Sequence, residues 1–140
     1  MQKIAFQVLE GLTYLNRHGI VHRFLTPQNI LFTKEGHVKL YNFGLYYMTD
    51  CGRDVTFPIG DPHYQAPEVL AAGPHTTAPT GPKVDVWALG IILFELLIGQ
   101  HLYSELRLPN GLMALLQRIM TTVQNFRSKC IHPISFERAE

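Results

Sequence analysis

The chain offers several residue groupings that could do chemistry. His18 and His22 stand four apart, the spacing with which one helix face presents two imidazoles to zinc. Gly19 lies between them and is expected to end the helix there, so the sequence argues against that pairing. Cys130 and His132 are close in sequence, but no second ligand pair accompanies them. Cys51 has Arg53 two positions on, an arrangement that can lower a thiol pKa and make it reactive; an idle surface cysteine is the plainer reading. Asn29 and Asn42 carry amide oxygens that could ligate a hard cation weakly, although such asparagines more often satisfy local backbone groups. No metal site is therefore expected.

These residues must be positioned by a small number of elements. With 140 residues the chain is long enough for one domain. Charged residues make up only 16%, against about 25% in an average soluble domain. The net charge of +1 gives no electrostatic footprint for nucleic acid or an anionic membrane. Two cysteines exclude a disulfide-dense scaffold and fit a reducing compartment. No basic segment followed by an apolar run opens the chain, so no secretory signal is expected.

Periodicity supplies the elements. Ile4, Val8, Leu9, Leu12 and Leu15 form a helical stripe over 2–18, with Gly19 at its left-handed end. Strand-like runs at 30–33 and 37–41 flank Lys34-Glu35-Gly36, which predicts a hairpin with a three-residue loop. Residues 42–68 have no sustained period and read as a long ordered loop, the kind that usually carries function. Residues 71–82, with three prolines and two glycines, read as a connection. In 84–98, twelve of fifteen residues are apolar. That run is too short to span a membrane, which takes about 20 apolar residues. It predicts a central helix buried on all sides, entered after Pro82 and ended at Gly99. Leu112, Leu115, Leu116, Ile119 and Val123 predict an amphipathic helix over 111–126, with Asn110 as N-cap. From Arg127 onward no period is evident, and 127–140 is expected to be an irregular tail.

Four strings then fall in order on these elements. His22-Arg23-Phe24-Leu25-Thr26-Pro27-Gln28-Asn29 lies between the first helix and the hairpin, and Asn42-Phe43-Gly44 follows the second strand. Ala66-Pro67-Glu68 closes the long loop, and Asp85-Val86-Trp87-Ala88-Leu89-Gly90 opens the apolar helix. Together they resemble the C-terminal lobe of a eukaryotic protein kinase over residues 1–126. The stretches VHRFLTPQNILF, GHVKLYNFGLYYMT and DVTFPIGDPHYQAPEV are similar to the kinase-like domain of the TBC domain-containing protein kinase-like family. The resemblance implies an α+β, mainly α, protein-kinase-like fold, C-terminal lobe only. No glycine-rich loop, strand lysine or helix-C glutamate of an N-lobe is present, so the chain reads as a fragment or truncated product.

The departures from the kinase pattern concern chemistry. The resemblance puts Phe24 where the catalytic aspartate accepts a proton from the substrate hydroxyl. It puts Thr26 where a lysine steadies the transferred phosphoryl group, and Asn42 where an aspartate holds magnesium. Asp61 replaces the threonine that bonds to that aspartate and lysine. Asn29 keeps the position of a second magnesium ligand, and Leu31 that of the floor beneath the adenine ring. Residues of structural use are retained by the same comparison. His22 and Phe43 match two members of an apolar spine. Asp85 matches the aspartate that holds the catalytic-loop backbone. Glu68 matches a glutamate that pairs with a distant arginine, for which Arg127 and Arg138 are poor candidates. Thr49, Thr56 and Tyr64 sit where activation loops are phosphorylated, with little left for a phosphate to switch on.

Packing residues kept while chemistry residues are lost is the pattern of a pseudokinase. The resemblance therefore implies a cytoplasmic binding or scaffold module with protein partners, serving Rab-linked trafficking or growth signalling. On that reading no cofactor is expected. Two alternatives stay open. One is an active kinase with a rearranged site, using ATP and magnesium with Asp61 as base; the other is a non-functional truncated product.

Overall fold

The computed structural model describes residues 1–43, 60–72, 81–103 and 112–130. Helix α1 spans Gln2–Arg17. Val8, Leu12 and Leu15 are buried, and Ile4 packs at the edge of the core. Leu9, expected on the same stripe, is 42% exposed, because it lies a residue off the axis of the buried face. The chain leaves α1 through His18 and Gly19, whose φ is +73°.

A short 3-10 turn at Pro27–Asn29 leads into strand β1, Ile30–Phe32, which pairs antiparallel with β2, Val38–Leu40. Ile30 faces Leu40 and Phe32 faces Val38. The Thr33 N–H donates to the His37 carbonyl at 2.8 Å, closing the expected three-residue loop with Gly36 at φ +80°. The hairpin docks on α1 at a glycine. A Cβ at Gly11 would stand 2.9 Å from Leu40 Cδ1, so a larger residue there would have to push the Leu40 side chain aside. The Val38 N–H donates to Gln7 Oε1 at 2.9 Å and fixes the same junction.

Helix α2, Pro67–Ala71, starts with proline at its first position, where the missing N–H costs nothing. Helix α3 runs Lys83–Ile98 and ends at Gly99, left-handed at φ +77° with its N–H on the Glu95 carbonyl. Helix α4 runs Leu112–Cys130. It buries Leu115 and Ile119 completely and packs against α2. The helix continues four residues beyond Phe126, into the stretch expected to be irregular.

One expectation about α3 fails. Val84, Asp85, Ala88, Leu89, Ile91 and Ile92 are buried, all on one side of its first turns. Val86, Leu96, Leu97 and Ile98 are exposed, Leu97 to 67%. Apolar composition alone does not bury a helix. The buried side is the side on which α1, Tyr64 and Leu115 share its core, and the final turn receives no such cover. Val21, Ala66, Val69 and Val84 make a second small core beside it, with Trp87 packed against them. Among the described residues, no helix is long and apolar enough to cross a membrane.

Candidate functional site

The segment from His22 to Asn29 is held from below by α3. Asp85, in the first turn of that helix, is 4% exposed. Its Oδ2 accepts from the His22 N–H and its Oδ1 from the Arg23 N–H, both at 2.8 Å. Burial pushes the Asp85 carboxyl pKa up, while the two N–H donors and the Arg23 charge pull it back. Arg23 takes a left-handed φ of +62°, and the chain turns sharply there. Phe24 N–H then donates to His22 Nδ1 at 3.2 Å, which leaves the proton of the neutral ring on Nε2. Asn29 Nδ2 donates back to the Phe24 carbonyl at 2.7 Å and closes the loop.

His22 is 1% exposed, and its ring meets Phe43 edge-on at 6.3 Å between centroids. Burial lowers its pKa, against the carbonyl of Tyr41, which acts to raise it. A zinc role with His18 does not arise: His18 Nδ1 bonds the Tyr14 carbonyl at 2.8 Å on the exposed end of α1. Among the described residues no cluster of His, Cys, Asp or Glu could hold a metal ion.

Above this frame opens a cleft of about 420 Å³, lined by Phe24, Thr26, Gln28, Asn29, Asn42, Gly60 and Asp61. The structure therefore brings together Phe24, Thr26, Asn29, Asn42 and Asp61, which the sequence singled out from three separate segments. Asn42 is left-handed at φ +64°. Gly60 makes the closest approach. At φ +111°, a Cβ there would sit 2.8 Å from the Arg23 carbonyl and 3.4 Å from the Phe24 ring. Asp61 Oδ1 accepts from the His63 N–H and faces His63 Nδ1, each at 2.9 Å. A larger shallow groove, about 480 Å³, runs along the outer face of α1. Its described lining comes from that one helix and shares no residue with the cleft.

Leu31 is not a cleft residue: it lies on β1 and is 46% exposed. Glu68 stands exposed in the first turn of α2, without an ion pair among the described residues. Tyr64, considered as a phosphorylation site, is buried, and its hydroxyl donates to Glu95 Oε2 at 2.8 Å. Burial first, then Glu95, raises its pKa far above the usual phenol range. Thr49, Cys51, Arg53, Thr56, Asn110 and His132 fall outside the described residues.

Sequence reasoning missed the cluster beside the cleft. His101 packs against His63 at 5.2 Å and Tyr64 at 4.9 Å, and its Nδ1 accepts from the Tyr103 N–H. Burial lowers its pKa, with Glu95 acting the other way. His63 could have been suspected from its place two residues after Asp61. Nothing local connects either residue to Glu95 or His101.

Comparisons with known proteins agree with this geometry. The chain is 60% identical over 112 residues to the TBC domain-containing protein kinase-like protein of Mus musculus, covering 74% of this chain and 12% of that protein. It is 55% identical to the Homo sapiens protein of the same name, covering 81% and 14%. For the Gallus gallus protein the identity is 54%, covering 78% and 13%. The chain thus spans about an eighth of the length of these relatives. A family model described as "Protein kinase domain" matches residues 1–138, nearly the whole sequence, and the chain belongs to that family.

Proposed function

We propose that this chain is part of a catalytically impaired protein-kinase-like domain that acts by binding protein partners. One observation supports the reading: Phe24, Thr26 and Asn42 line one cleft, and the kinase resemblance sets them where a base, a cation and a metal carboxylate would stand. A phenyl ring accepts no proton, and a threonine hydroxyl supplies no charge to a phosphoryl group. An amide oxygen offsets none of the charge on magnesium. The frame beneath, Asp85 on the His22–Arg23 backbone and His22 against Phe43, is kept. A kept frame under a dismantled site favours recognition over turnover. The relatives' name joins a TBC domain to a kinase-like one. On that basis the proposed setting is cytoplasmic, in Rab-linked trafficking or growth signalling by the longer protein.

A thermal melt with and without magnesium and ATP tests the reading. A ligand at 100 times its Kd stabilises by about 2.7 kcal/mol. The expected result is a cooperative melt at one temperature in both conditions. A clear upward shift overturns the proposal and returns a working nucleotide site.

One observation favours a second reading, an active kinase with a rearranged base. Asp61 lines the same cleft, and among the described residues its Oδ1 alone is engaged. That reading requires phosphoryl transfer to a substrate hydroxyl that falls by 10²-fold or more in Asp61→Asn.

A further inference from the structure

We propose that the cleft above the His22–Asn29 loop is a receptor for one arginine side chain of a partner protein, with the guanidinium lying on the Phe24 ring and donating to Asp61 Oδ2. The inference rests on the binding role proposed above and names the chemistry recognised.

Charge comes first. Among the described residues that line the cleft, Asp61 is the single charged one, with no lysine or arginine beside it in that lining. Such a site repels a polyphosphate and attracts a cation. Geometry narrows the cation. Gly60 presses on the Phe24 ring, 3.4 Å from its Cδ2 to where a Cβ would stand, and Asp61 follows directly. Phe24 and Asp61 therefore line the same cleft with Gly60 between them. Cations bind over aromatic faces within about 6 Å of the ring centroid, and arginine does so more often than lysine.

The carboxylate is also oriented in advance. Both contacts with His63 fall on Oδ1, at 2.9 Å, and Oδ2 has no hydrogen bond among the described residues. The other polar groups are suited to a donor-only guest. Asn29 spends its Nδ2 on the Phe24 carbonyl at 2.7 Å, which leaves its Oδ1 as an acceptor. Asn42 and Gln28 add side-chain amides to the lining, each with a carbonyl oxygen able to accept. A guanidinium presents five donors in a plane and no acceptor, so it can stack on the ring while its edge meets the carboxylate.

The test is an NMR titration of the 140-residue chain at low salt with three blocked tripeptides. They differ only at the central residue: arginine, citrulline or lysine. Citrulline keeps the shape and removes the charge. The arginine peptide is expected to shift the side-chain amide signals of Asn29 and Asn42 and to bind at least tenfold tighter than the citrulline peptide. Lysine is expected to fall between them. Asp61→Asn, checked by a melt for folding, is expected to bring arginine binding down to the citrulline level. Phe24→Leu is expected to weaken it several-fold while keeping the preference for charge. Equal binding of the arginine and citrulline peptides to the wild-type chain overturns the proposal, as do shifts confined to other regions. A parallel titration with magnesium and ATP separates the two ideas. Loss of the arginine preference with no nucleotide response rejects the arginine site alone, whereas nucleotide shifts at Asn29 and Asn42 reject the impaired-kinase reading beneath it.

Discussion

The Asp85 carboxylate accepts the backbone N–H of His22 at 2.8 Å, across 63 positions of sequence. With the matching bond to Arg23, it holds the turn on which the cleft is built. Arg23 sits at φ +62°, a conformation that a non-glycine residue keeps only when its surroundings enforce it. The buried carboxylate is part of that enforcement, and it makes α3 and the 22–29 loop one unit.

Asp85→Asn is expected to destabilise the chain by about 2–3 kcal/mol. An amide offers one acceptor and turns its NH2 toward the second backbone donor, which is left buried and unmet. Asp85→Ala loses both bonds and costs more. Urea midpoints at constant m-value provide the measurement. An Asp85→Asn midpoint equal to the parent's shows that the two bonds do not hold the loop.

Acid should weaken the fold through His22, which is buried, and His101, which is half-buried. The His22 pKa is lowered by burial, so between its folded value and the unfolded 6.5 the unfolded chain binds more protons. Its contribution is fully present above 6.5 and is lost as pH falls toward the folded value. His101 is lowered too and adds in the same direction, with Glu95 and Asp61 opposing the shift and His63 reinforcing it. Asp85 has the opposite sign, because a raised carboxyl pKa contributes stability at low pH that is lost as pH rises through it. Comparing His22→Phe with the parent removes Asp85 from the difference. The variant starts lower, by about 1 kcal/mol for the lost Phe24 N–H bond. It is expected to lose less stability than the parent between pH 7.5 and 5.5, and parallel pH profiles refute this.

Tyr64 and Glu95 should be energetically coupled. Their 2.8 Å hydrogen bond joins the loop before α2 to the last turns of α3, with the phenol buried. A double-mutant cycle of Tyr64→Phe and Glu95→Gln is expected to give a coupling of about 1 kcal/mol, within the range for directly bonded neighbours. Additive effects within about 0.3 kcal/mol show that the contact is idle.

Much of this fold could be read from local pattern. The α1 stripe, the three-residue hairpin loop and the Gly99 stop each depend on a few adjacent residues. The cleft was legible in another way, because Phe24, Asn42 and Asp61 sit in motif strings whose order fixes their place. Two things were not. The exposed end of α3 looks in sequence like its buried start, since both are runs of aliphatic residues, and only the surrounding elements distinguish them. The cluster of His63, His101, Tyr64 and Glu95 joins segments about 30 to 40 residues apart, and no spacing rule connects a loop to a helix end across such a gap.

The two ends of that pattern can be separated by truncating similar leucines. Leu115 on α4 is fully buried in the core that also contains Leu89 and Ile92. Leu115→Ala removes packed methyl groups and leaves a cavity, for an expected cost of about 2–5 kcal/mol. Leu97 has comparable hydrophobicity and lies in the apolar run that invites burial, yet it is 67% exposed. Leu97→Ala is expected to change stability by about 0.5 kcal/mol or less. Both values come from one set of urea melts. A cost at Leu97 near that at Leu115 means that the last turn of α3 is packed against something in solution, and the exposure assigned to it is wrong. A negligible cost at Leu115 means that α4 is not docked on the lobe. The expected contrast locates the stabilising core on the inner side of α3 and leaves the end of that helix outside it.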